Sequence, residues 1–199
     1  MGAPINRVES WTASDYDMII DVRSPAEFAD DHIPGAINLP VLDDQQRSEI
    51  GVIYTQVNPF TAKKAGAALV AQNIAAHLQT SLQDKARDWR PLVYCWRGGQ
   101  RSGAMARVFS EIGWQTDLVD NGYKRYRKQV LDGLDSLPQH FNFVVLRGRT
   151  GLAKTHILQA ALAKGAQVIN LEALANHRGS LLGPEPNGEQ PPQRLFESN

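Results

Sequence analysis

Cys95 is the one cysteine of the chain and stands in Leu92-Val93-Tyr94-Cys95-Trp96-Arg97-Gly98-Gly99-Gln100-Arg101-Ser102-Gly103. An apolar run ends at the thiol, a glycine pair follows, and an arginine opens a helix-like segment. That order builds an anion cradle around a nucleophile. Gly98 and Gly99 let the backbone curl through positive φ without a Cβ clash, so successive N–H groups can turn inward and form a concavity for an anion. The helix that follows offers its positive N-terminal end to the same place. Arg101 adds a planar fork matched to a phosphate-like group. Such a field favours a thiolate, able to attack or to carry a sulfur-like atom. Cys95 is thus the candidate catalytic residue, and Trp96, Arg97, Gly98, Gly99, Gln100 and Arg101 are the candidate anion-binding loop. A buried, inert cysteine is the competing reading; the glycine pair and the six-position spacing to Arg101 weigh against it.

Gly148-Arg149-Thr150-Gly151-Leu152-Ala153-Lys154-Thr155 is the second such stretch. It lies between a strand-like run and a helix-like run, the order of a nucleotide-binding P-loop. Gly148, Gly151, Lys154 and Thr155 are its candidate phosphate-binding residues: loop N–H groups cradle phosphates, the lysine reaches the terminal ones, and the threonine holds Mg²⁺. Ala153 departs from the pattern, which asks for glycine there. The competing reading is a plain turn between strand and helix with an exposed lysine.

These residues need elements to hold them. Asp17 to Val22 reads as a strand, and Ser24-Pro25 as the N-cap and first residue of a short helix. A turn at His32 to Gly35 leads to a second short strand. Thr61 to Asp88 reads as a long helix with Ala67, Val70, Ile74, Leu78 and Leu82 on one face. Pro91 to Tyr94 reads as a buried strand, and Arg101 to Ile112 as a helix with Ala104, Val108 and Ile112 at four-residue spacing. Gln115 to Val119 is a further strand and Tyr123 to Leu137 a further helix. After a break at Pro138 come a strand at Phe141 to Leu146, a helix to about Lys164 and a strand at Gln167 to Leu171. The tail from Gly183, rich in Pro, Gly, Gln and Asn, reads as loop or disorder. Alternating strands and helices predict an α/β fold with a largely parallel sheet. Residues 1–138 and 139–199 are the expected domains. Ligands of such sheets sit beyond the carboxyl ends of the strands, where Cys95 falls.

Composition is that of an ordinary globular protein, 42% apolar and 21% charged over 199 residues. Lys plus Arg number 21 and so do Asp plus Glu, so bulk charge does not argue for nucleic acid. A lone cysteine excludes an internal disulfide and a cysteine-rich zinc site; no metal centre is expected, and a reducing cytoplasm suits it. No stretch has the length needed to cross a membrane.

Asp21-Val22-Arg23-Ser24-Pro25-Ala26-Glu27-Phe28 and His32-Ile33-Pro34-Gly35-Ala36-Ile37-Asn38-Leu39-Pro40 resemble the N-terminal signature of rhodanese domains. The Cys95 loop, Asn121-Gly122-Tyr123-Lys124 and Leu174-Ala175-Asn176-His177-Arg178-Gly179-Ser180 resemble one branch of these, the tRNA 2-selenouridine synthases, which join a rhodanese domain to a P-loop domain. The resemblance implies a rhodanese-like parallel sheet flanked by helices, followed by an incomplete P-loop α/β segment. It implies replacement of the sulfur of wobble 2-thiouridine in tRNA by selenium from selenophosphate, through a base geranylated with geranyl diphosphate. Cys95 would accept selenium, the 96–101 loop would hold selenophosphate, and the P-loop residues would hold geranyl diphosphate. Neither substrate would be a tightly bound cofactor, and a selenophosphate-producing enzyme would be a partner. Lys124, Arg125, Arg127, Lys128, His177 and Arg178 would be the contacts to tRNA, against a reading as solvated or capping residues. Family members are longer, so the chain is expected to be truncated inside its second domain. Three other functions remain open: a stand-alone rhodanese sulfurtransferase, a non-catalytic module that binds tRNA or nucleotide, and a C-x5-R phosphatase, whose arginine also stands six positions after the cysteine. The absence of Asp and Glu from Trp96 to Ser110 weighs against the last. Asp21, Arg23 and His32 are expected to shape the fold.

Overall fold

Pro91–Tyr94 is a fully buried four-residue strand, and the rest of its unit is arranged around it. The computed structural model describes residues 2–149, 151–179, 183–186 and 188–199, in two units, Met1–Leu131 and Asp132–Asn199. In the first unit the strands are β1 (Ile5–Val8), β2 (Met18–Asp21), β3 (Ala36–Asn38), β4 (Pro91–Tyr94) and β5 (Thr116–Val119). They form one all-parallel sheet in the order β1-β5-β4-β2-β3, with β4 central. Ile20 pairs with Val93, and Val93 with Leu118.

Side chains alternate across a strand, so β4 feeds two cores. Val93 and Cys95 face a cluster with Ile74, Met105, Phe109, Trp89 and Trp114. Leu92 and Tyr94 face the other, with Ile33, Tyr123 and Tyr126. Leu92 and Val93 are wholly buried, worth about 1.5–3 kcal/mol each. Two tryptophans and Phe109 pack edge to face at 4.9–5.5 Å, closing the first cluster.

The helices are α1 (Pro25–Asp30), α2 (Asp44–Gln56), α3 (Pro59–Gln79), α4 (Gln100–Ile112) and α5 (Gly122–Ser136). Ser24 caps α1 in a reciprocal box with Glu27, as a Ser-x-x-Glu signature requires. Two expectations are corrected. The helix predicted over 61–88 is α3 and ends at Gln79; the chain then turns, with Leu82 N–H bonded to the His77 carbonyl, so that Leu82 reaches the core while Ala67 stays exposed. The buried face of α4 is Ser102, Met105, Ala106 and Phe109, whereas Ile112 is 49% exposed and Ala104 and Val108 lie at the margin. Helix α2 and strand β1 carry too weak an apolar pattern to announce themselves; Asn58-Pro59, the cap and first residue of α3, is the one local mark of the turn.

The second unit holds α6 (Lys154–Ala163), α7 (Leu171–Leu174) and α8 (Gln193–Ser198). Neither predicted strand forms. A strand exists only by pairing, and among the described residues Phe141 to Leu146 has no neighbour to pair with; Val144 is 98% exposed. Residues 167–170 are irregular and Leu171 instead opens α7, capped by the Asn170 side chain. The tail is not all loop: Pro192 precedes the helix α8. No helix of the described residues is long and apolar enough to cross a membrane.

Candidate active site

Cys95 follows the last residue of β4, at the carboxyl end of the central strand, and is 3% exposed. Its sulfur accepts the Gly99 N–H at 3.3 Å and the Ser102 hydroxyl at 3.2 Å. Gly99 is the N-cap of the 13-residue α4, so the sulfur stands at that helix's positive end. The loop is locked from behind. The N–H groups of Tyr123 and Lys124, in the first turn of α5, donate to the carbonyls of Cys95 (2.8 Å) and Trp96 (3.1 Å). Arg7 donates to the Gly98 carbonyl at 3.1 Å. Close backbone approach explains two glycines. A Cβ on Gly122 (φ +54°) would stand 2.0 Å from the Cys95 carbonyl oxygen, and one on Gly98 (φ +62°) would stand 2.9 Å from that of Val119.

Arg101, expected over the loop, is held by a carboxylate. Its Nη1 lies 2.7 Å from Glu27 Oε2, and Arg47 Nε lies 3.1 Å from the same oxygen. The Ser24 N–H adds a third donor. Burial alone would raise the Glu27 carboxyl; the Arg101 hydrogen bond and charge, with Ser24 and Arg47, outweigh it and set its pKa below the usual carboxylate range. Glu27, Arg47 and Ser102 were not among the expected site residues. The capping-box pattern Ser24-x-x-Glu27 marks Glu27 for α1 but not for Arg101. Trp96 is half-buried, its ring 5.2 Å from that of Tyr123; Arg97 and Gln100 are exposed.

Beneath the site lies a buried frame. Arg23 is forked onto Asp21 at 2.6–3.0 Å, donates to the Asp31 carbonyl, and has its guanidinium 4.0 Å from the Tyr123 ring centre. Burial lowers the pKa of such a group, yet the Asp21 hydrogen bonds and charge prevail and hold Arg23 above its ordinary value. The Tyr123 hydroxyl donates to Asp31 at 2.8 Å. These contacts make Asp21 and Arg23 structural. His32 bonds the Phe28 carbonyl through Nδ1 at 2.9 Å and stacks on the Phe28 ring, a local turn role.

Of the basic residues on α5, Arg125 is tied to Asp120 and Glu9 and Arg127 approaches Asp31 at 3.9 Å; Lys124 and Lys128 are exposed one turn apart. In the second unit a cleft of about 430 Å³ brings Lys154 and Thr155 together with Glu172 and Arg178. Lys154 Nζ donates to the Arg149 carbonyl at 3.1 Å, and Gly151 takes φ +86°. Ala153, the departure from the P-loop pattern, sits at φ +54° as N-cap of α6, a conformation that suits glycine. Gly148 is exposed, and a Cβ added there would stand 3.0 Å from Leu152 Cδ1. His177 Nδ1 accepts the Gly179 N–H, and Arg178 donates to the Pro184 carbonyl. Ser180 lies outside the described residues. No group of three His, Cys, Asp or Glu among the described residues is arranged to hold a metal.

Residues 7–129 match the family model described as a rhodanese-like domain, and residues 141–199 match the one described as the tRNA 2-selenouridine synthase AAA domain. A protein of Nitrosomonas europaea named tRNA 2-selenouridine synthase is 35% identical over 182 residues, 91% of this chain and 47% of that protein. One of the same name from Bdellovibrio bacteriovorus is 35% identical over 191 residues, again 91% of this chain and 47% of the relative. The chain thus spans about half the length of the curated relatives it matches. Among solved structures, the N-terminal domain of a Clostridium difficile protein named for ATP/GTP binding is 33% identical with a TM-score of 0.50, over 57% of this chain and 88% of that one.

Proposed function

The chain belongs to the rhodanese-like family, in its tRNA 2-selenouridine synthase branch, and from that premise we propose that its first unit is the selenium-handling half of a tRNA-modifying transferase. The substrate is the wobble 2-thiouridine of tRNA, whose sulfur gives way to selenium from selenophosphate by way of a geranylated base. Cys95 is the catalytic thiolate of that unit. The observation that carries this reading is the placement of its sulfur at the start of α4, with the Gly99 N–H and the Ser102 hydroxyl donated to it. Donors aimed at sulfur stabilise its anionic form, the form that attacks. The loop is one residue longer than in ordinary sulfurtransferases, which suits a tetrahedral oxyanion as cargo. Arg101 stands six positions from Cys95 to meet that oxyanion, and a selenophosphate-producing enzyme supplies it. Gly148, Gly151, Lys154 and Thr155 hold geranyl diphosphate, with the alanine at position 153 as the weak point of that cradle. A tRNA substrate puts the reaction in the cytoplasm.

The phosphatase reading needs a protonated acid beside the loop. Glu27 is the carboxylate at Arg101, and its lowered pKa keeps it ionised at neutral pH, unfit to donate a proton. Incubation with selenophosphate or with thiosulfate, followed by intact-mass measurement, tests the proposal. One sulfur atom on Cys95 from thiosulfate, transferred as the S–S bond of the donor breaks and sulfite leaves, is expected and is absent from Cys95→Ser. An unmodified mass with both donors, alongside hydrolysis of an aryl phosphate, would sink it.

A further inference from the structure

The α2–α3 hairpin ends in an exposed apolar tip. Phe60 is 76% exposed, Val57 64% and Tyr54 53%, more than any other large apolar side chain described in the first unit. Lys63 and Lys64 follow Phe60 by three and four residues on α3, hence on the same helix face, and both are exposed. Among the described residues no carboxylate pairs with either, and from Gly51 to Gln83 the chain contains no Asp or Glu. The tip is rigidly mounted. Asn58 caps α3 with Pro59 at its first position, and Asn73 on α3 ties to Gln46 of α2 at 2.7 Å and to the Val41 carbonyl at 3.0 Å. The other end of α2 reaches the catalytic loop, through Arg47 on Glu27 and Glu27 on Arg101. Tyr54 is seven residues beyond Arg47, about 10 Å along the helix at 1.5 Å per residue.

We infer that this tip is an RNA-docking surface, on which Tyr54 and Phe60 stack against unpaired bases of a tRNA loop while Lys63 and Lys64 meet the adjacent phosphates. Exposed aromatic rings set among cations match single-stranded RNA, whose splayed bases offer π-faces and whose backbone supplies negative charge. A second copy of the chain would bring the same lysines to a patch without a carboxylate to receive them. The short arm from tip to Cys95 matches a substrate that presents one base to the thiol and its neighbours to the tip. The inference rests on the tRNA reading above and adds the surface that binds it.

The test is fluorescence anisotropy with a labelled tRNA bearing wobble 2-thiouridine, using the full chain, with folding checked by circular dichroism. Tyr54→Ala combined with Phe60→Ala is expected to weaken binding at least tenfold. Lys63→Ala combined with Lys64→Ala is expected to reduce the slope of log affinity against log salt by between about one and two. Wild-type binding matched by both variants overturns the docking surface and leaves the tRNA reading standing. A wild-type chain that binds no tRNA at low salt overturns both. If the aromatic variant loses self-association on sedimentation while keeping its RNA affinity, the tip is a contact between copies and the inference falls.

Discussion

Glu27 and Arg101 meet at 2.7 Å across 74 residues of sequence, and through them α1 is fastened to the first turn of α4 beside the Cys95 sulfur. The carboxylate is shared with Arg47, so two guanidinium groups depend on one side chain.

Glu27→Gln removes that charge. Because the folded-state pKa of Glu27 lies below its unfolded value, the stabilisation is present above the unfolded carboxylate value of about 4.3 and fades as pH falls through the lower, folded one. The variant is expected to be less stable than wild type by about 1–3 kcal/mol at pH 7. Thermal unfolding at a series of pH values should show the two curves converging on the acid side. A constant gap down to the lowest pH would mean the charge is not what matters.

Ser102→Ala deletes the hydroxyl given to Cys95 while leaving the Gly99 N–H in place. Slower alkylation of Cys95 by iodoacetamide at neutral pH is expected, with a stability cost of about 1 kcal/mol. An unchanged rate would show that the backbone donor alone sets the reactivity.

Gly122→Ala and Gly103→Ala form a contrasting pair. At position 122 a methyl would collide with the Cys95 carbonyl and sit at positive φ, so a loss of at least about 2 kcal/mol and of Cys95 reactivity is expected. Gly103 lies inside α4 with nothing within 4 Å of an added Cβ, and its replacement should stabilise by about 0.5–1 kcal/mol. Denaturant melts of both variants decide the matter.

Ala153→Gly relieves a left-handed alanine, a strain of about 1–2 kcal/mol. The variant is expected to bind geranyl diphosphate more tightly by calorimetry, since the loop is freed to close on phosphate. Equal affinity would place the ligand elsewhere.

Tyr16 is pushed up to about 12 by burial and by its hydrogen bond to Asp117. Its neutral form is favoured by folding, so this contribution is complete below the free phenol value of about 10 and is lost as pH rises through 12. An alkaline titration followed at 295 nm should lose one late-ionising tyrosine in Tyr16→Phe.

The Cys95 loop was legible in the sequence because its neighbours are local. An unbroken apolar run from Pro91 to Tyr94, a glycine pair and a helix start stand side by side, and the Ser24-Pro25 start of α1 is likewise written within a few residues. What lay between distant segments was not legible. Nothing near Glu27 names Arg101 as its partner. The aim of Ser102 at sulfur depends on which stripe of α4 is buried, and the four-residue spacing of Ala104, Val108 and Ile112 marks only the margin of that stripe. Phe141 to Leu146 has the apolar content of a strand, but content cannot supply the neighbouring strand that pairing needs.

Trp96 follows Cys95 directly and lies over Tyr123, whose N–H holds the Cys95 carbonyl. Trp89 and Trp114 belong to the core cluster that Cys95 itself faces, while Trp96 and Trp11 pack against the other. Indole rings therefore stand in both clusters that meet at Cys95, and a change in intrinsic tryptophan emission would time the addition of an atom to its sulfur without any label.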